Sequence, residues 1–178
     1  MRPAFTATAA YRLHHAECRE RLLQMPRTLH DNARRDGMAD EPLFMGVRDS
    51  DPAFQQTIRD ARATLPEFRR LLASPQLGDA FPLVKIDLAD QQARAVLWLI
   101  VRGVQAAGFR ASIFEIPSEF AGYKVGDVLD VPETAVLDWM LNQDGVLHGG
   151  FSLRYQRALL PEEKRAEFDR HIGVLRYH

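Results

Sequence analysis

Four side chains in the last third of the chain, Asp138, His148, Ser152 and Arg154, have types and spacing that could make or break a bond. In a hydrolase-like centre the carboxylate would orient His148, the imidazole would take the Ser152 proton, and the serine oxygen would attack. The same residues also serve as scaffolding if Asp138 pairs with Arg154, or caps turns, around Trp139. The scaffolding reading is preferred. No Gly-x-Ser-x-Gly elbow, phosphate loop, dinucleotide fingerprint or paired-His metal motif accompanies the four residues. On that reading no catalytic residue is assigned, and no cofactor or metal is expected.

His14, His15, Glu17 and Cys18 form the other group of ligand types. Adjacent histidines on a helix point about 100° apart, so only His14 and Cys18 share a face. Two ligands do not complete a site, and these positions read as a solvated helix face. Cys18 is the single cysteine, so no internal disulfide forms, which fits a reducing, cytoplasmic location. The formal net charge of -1 gives no general attraction to nucleic acid or to an anionic membrane. Arg59, Arg62, Arg69 and Arg70 are interleaved with Asp60 and Glu67, which reads as a solvated face and not as a nucleic-acid surface. No apolar stretch approaches a membrane span, and the first ten residues are too short and threonine-broken for a signal peptide.

The elements that must hold the candidate residues follow from period and punctuation. At 178 residues and 46% hydrophobic content, the chain can bury one sizeable core. Residues 1–42 read as a helical N-terminal extension, with a helix over 9–24 stopped by Pro26 and a polar linker from Asp36. Residues 43–178 read as a single α+β domain. Asp51-Pro52 supplies an N-cap and a first-turn proline for a helix whose apolar face is Phe54, Ile58, Ala61 and Leu65. Thr64-Leu65-Pro66-Glu67 reads as a capping box that starts a second helix. From Phe81 the period becomes that of a strand, with Lys85 on the wetter face. Residues 93–102 read as a central strand covered on both sides, 103–108 as a loop, and 109–116 as the returning strand. Helical spacing returns from Phe151, and a charged helix ends at Gly173. Helices followed by sequential strands predict an α+β domain with a twisted antiparallel sheet or a partly open small barrel, closed by a C-terminal helix.

Within this frame, residues 124–155 are the most constrained stretch. Gly126-Asp127 predicts a tight turn whose aspartate bonds nearby amides. Val128–Val131 is a short strand stopped by Pro132, and Asn142–Gly145 is a turn. Asp138-Trp139-Met140 sets a carboxylate beside a large ring that needs a partner for its N–H. Gly149-Gly150 lets the backbone bend or pass closely before Phe151.

This pattern resembles the YegJ-like family of bacterial proteins, domain of unknown function 2314. The shared features are Gly126, Asp127, Asp138, Trp139, Met140, Gly149, Gly150, Phe151, Ser152, Leu153 and Arg154, with Asp49–Pro52 and Ala61–Phe68 upstream. The resemblance departs at Ala111 and Glu115, where the family pattern has Gly and Asn. It implies a fold and no reaction. The expected function is a non-catalytic bacterial module that binds another protein, of the immunity or adaptor kind. The alternative is a hydrolase-like enzyme using the Asp138, His148, Ser152 and Arg154 cluster.

Overall fold

The computed structural model describes residues 51–178, Asp79 excepted. The extension over residues 1–42, the His14 and Cys18 pair and the Asp49-Ser50 dipeptide lie outside the described residues. Asp51 Oδ1 accepts the Ala53 amide at 2.9 Å and Pro52 takes the first helical position, so helix α1 runs Pro52–Ala63. Pro66 has no N–H to continue α1. The chain therefore breaks at Thr64 and restarts as α2, Leu65–Leu72. The expected capping box does not form, because Thr64 makes no side-chain cap bond. Its hydroxyl turns back to the Asp60 and Ala61 carbonyls, at 2.9 and 3.1 Å.

Among the described residues, seven strands make one sheet: β1 Phe81–Ala89, β2 Arg94–Gln105, β3 Gly108–Ile113, β4 Val128–Pro132, β5 Val136–Gln143, β6 Val146–Gly149 and β7 Arg176–Tyr177. Helices α3, Phe151–Leu159, and α4, Glu162–His171, lie between β6 and β7 in the chain. The spatial order is β4-β3-β2-β1-β5-β6-β7. The domain is α+β, as expected, and the sheet remains open. It is also mixed: β7 pairs parallel with β6, while the other neighbours are antiparallel. The two helices between β6 and β7 supply the long crossover that a parallel pair needs.

Two strand expectations change. β2 is an interior strand, as expected, between β3 and β1, but it is buried on both faces only over Leu99–Val101. The expected loop over 103–108 shrinks to a turn at Ala106-Ala107, because β2 continues to Gln105 past an irregularity between Val101 and Gly103.

Register explains the burial. Ile113, Leu99, Val84 and Trp139 form one cross-strand row, each at most 1% exposed. This row joins Ala61, Leu65 and Phe68 of the first two helices in the main apolar cluster. Phe68 stacks on Trp139 with ring centres 4.8 Å apart. A pair of that kind adds about 0.5–1.5 kcal/mol to the burial of its area. The next row, Ser112, Ile100, Leu83 and Met140, points to the opposite sheet face and is buried as well. One step along that second face lies the row Trp98, Lys85 and Asp138.

Candidate functional site

The polar cluster starts from a bulge. Lys85 pairs with Asp138 and Ile86 with Val136, so Leu137 is an extra residue in β5. An extra residue bends its strand and re-aims the neighbouring side chain. Here the re-aimed group is the Asp138 carboxylate, 1% exposed. Its Oδ1 accepts the amides of Trp139 at 2.8 Å and Phe151 at 3.2 Å. Its Oδ2 accepts the Ser152 amide and the Ser152 hydroxyl, both at 2.7 Å.

Phe151 and Ser152 open α3, whose N-cap residue Gly150 has no side chain with which to cap. Asp138 therefore caps α3 from a strand, and the positive end of the helix favours its charge. Gly149 and Gly150 make this approach possible. Both have left-handed φ values, 68° and 66°, and a Cβ on Gly149 would stand 2.4 Å from the Trp139 carbonyl oxygen. That conformation and that gap favour glycine.

Lys85 completes the chain by donating to the Ser152 oxygen at 3.0 Å, with its ammonium 5.2 Å from the centre of the Trp98 ring. Burial raises the Asp138 pKa above the usual carboxylate value, against the pull of the Ser152 bonds and of Lys85. Burial likewise lowers that of Lys85, with Asp138 opposing. In an open site, such a Lys–Ser–Asp chain would suit nucleophilic catalysis. Ser152 is 2% exposed, and its hydroxyl is occupied as donor and acceptor.

His148 and Arg154 belong to a different place. They line a cavity of about 160 Å³ with Glu67, Trp139, Gly149, Phe151 and His178. Arg154 donates through Nε to the Gly149 carbonyl, and through Nη2 to those of Leu147 and His178. It thereby fastens the end of β6 to the residue after β7, with the Tyr177 ring under its guanidinium at 5.2 Å. The expected Asp138–Arg154 pair is thus replaced by two separate sets of bonds. Burial lowers the His148 pKa, His178 adds to this, and Glu67 opposes it.

The remaining motif residues have structural surroundings. Gly126 takes φ 98°, and Asp127 Oδ2 accepts the Lys124 amide at 3.0 Å in the turn before β4. Met140 is buried between Leu83 and Gly149. The Trp139 indole N–H finds its partners at the helix break, donating to the Ala61 carbonyl and Thr64 Oγ1 at 3.1 and 3.0 Å.

Sequence reasoning missed Lys85, Glu67 and His178. Strand period puts Lys85 on a wetter face, and only its register opposite Asp138 shows its role. Glu67 reads as part of a cap, and His178 carries no spacing signal. Two arginines of the supposed solvated face also act as ties. Arg62 donates to the Val136 and Thr134 carbonyls, and Arg69 reaches Glu133 and the Gln105 carbonyl.

The family model described as an uncharacterized protein conserved in bacteria (DUF2314) matches residues 51–175, a span that contains every strand but β7 in full. Among curated proteins, the chain is similar to one of Neisseria meningitidis serogroup B provisionally named as an ankyrin repeat protein. The two are 33% identical over 58 residues, 33% of this chain and 23% of that protein. The chain thus spans under a quarter of the relative's length. No solved structure matches the chain.

Proposed function

We infer function for a chain that belongs to the bacterial family of uncharacterized proteins DUF2314, and we propose that it is a non-catalytic module that binds another protein. The observation that carries this reading is the saturation of the motif's polar groups. Asp138 and Ser152 are buried and fully bonded to each other, to backbone amides and to Lys85, and Arg154 holds three carbonyls. Groups so engaged hold a fold together and have little freedom to serve a reaction. The similarity to a protein named for ankyrin repeats supports the same class. In this proposal residues 43–178 are the binding unit and residues 1–42 an appended extension.

The contact surface we assign is on the second sheet face. Val96, 46% exposed, and Val128, 47% exposed, share that face with half-buried Trp98. The charged pairs Asp87–Arg94 and Asp130–Arg110 lie beside them. Each valine stands beside one of these pairs, and exposed apolar side chains next to charge suit protein docking. The test is capture of a partner with the full-length chain, followed by titration of the purified partner. We expect a saturable complex that Val128→Asp weakens by about tenfold or more. Turnover of ester, amide or phosphate substrates that Ser152→Ala abolishes, with the fold and melting temperature kept, would overturn the reading in favour of the hydrolase.

A further inference from the structure

We propose that Glu67, His148 and His178 form a binding site for a divalent transition-metal ion of the zinc type, a property separate from partner binding. One ligand atom from each residue lies within 4.8 Å of the other two. They come from three parts of the fold: Glu67 from α2, His148 from β6 and His178 from just beyond β7. Two imidazoles and one carboxylate form a donor set that zinc accepts, with a water molecule in the fourth position.

A second observation points the same way. His148 Nδ1 is buried and has no hydrogen-bond partner among the described residues. Burying a polar nitrogen without a partner is unfavourable, and native folds rarely leave one so. The ring that carries this nitrogen lines the cavity beside Glu67 and His178. The imidazoles of His148 and His178 are already adjacent, with ring centres 4.4 Å apart. The cavity they line, about 160 Å³, exceeds the roughly 30 Å³ share of a single water molecule. Arg154 lines the same cavity, and its charge opposes a cation. Glu67 offsets that charge, and the Arg154 Nε and Nη2 are committed to backbone carbonyls.

The bound ion would act as a clip joining α2, β6 and the residue after β7. The ligands lie far apart in sequence, so no local spacing reveals them.

The experiment is a titration of the metal-stripped full-length chain with Zn²⁺, read by calorimetry and by thermal melting. We expect one strong equivalent and a rise of several degrees in melting temperature. Glu67→Gln and His178→Ala should each weaken binding by about tenfold or more and remove the thermal shift. His178 is exposed, so its variant tests the site even if the other is unstable. A variant with His14, His15 and Cys18 replaced should bind as the parent does. Two results would overturn the proposal: no binding up to about 1 mM Zn²⁺, or binding that survives both site substitutions.

Discussion

The buried cluster around Asp138 and the cavity around His148 are joined by Trp139, yet they obey opposite rules. In the first, both carboxylate oxygens are filled by the amides of Trp139, Phe151 and Ser152 and by the Ser152 hydroxyl. In the second, a buried ring nitrogen of His148 has no hydrogen-bond partner among the described residues. On the function proposed above, completed bonding makes the first region scaffolding. Incomplete bonding makes the second a place where something from outside the chain can fit. The polar residues that look most chemical in sequence, Asp138 and Ser152, are thus buried and bonded to each other and to Lys85.

Three measurements break or sharpen this contrast. Trp139→Ala should have the largest effect, a loss of about 3–5 kcal/mol, because it empties the shared core position. It also removes the indole bonds to α1 and Thr64. Denaturant melts showing a loss under about 1 kcal/mol would mean that the two regions do not depend on the ring.

Asp138→Ala should cost about 3 kcal/mol, since it uncaps α3 and leaves the Lys85 charge without its partner. The matched rim change, His178→Ala, should cost about 0.5 kcal/mol or less without metal. Equal losses for the two in parallel melts would mean that the two regions contribute alike to stability.

The third measurement takes Asp90, a less buried counterpart of Asp138. Asp90 also gathers backbone amides, those of Gln92, Ala93, Ala121 and Gly122, and it lies at the surface side of the β1–β2 turn. The Gly122 bond, followed by the others, holds its pKa at about 2, below the ordinary 3.8. A depressed folded pKa gives stability that is present above 3.8 and lost as pH falls through about 2. Asp138 is shifted the other way by burial. In melts, the gap between the parent chain and Asp90→Asn should therefore narrow as pH is taken from about 5 to about 2. A gap that stays constant over that range would mean the Asp90 bonds do not distinguish its charged form.

Local chemistry was legible in the sequence wherever one short segment settles it. Asp51-Pro52 starts α1 and Gly149-Gly150 turns into α3. Asp144-Gly145, at φ 51° and 78°, closes the β5–β6 hairpin. The need of Trp139 for an N–H partner was legible too, but the partner, at the α1–α2 break, was not. Long-range pairing decides such matters. The bulge that sets Lys85 opposite Asp138 depends on register between strands, and no periodicity encodes it. Thr64 read as a cap, but the indole and two carbonyls of α1 claim its hydroxyl instead. The domain class followed from the order of helices and strands. The parallel β6–β7 pair did not, since β7 is only two residues long.

That short last strand has a practical consequence for handling the protein. Because Arg176 and Tyr177 align with Val146 and Leu147, and the His178 amide bonds the Leu147 carbonyl at 3.0 Å, whatever is joined after position 178 emerges beside His148. A polyhistidine purification handle fused there would hang over the cavity and compete for the same ion.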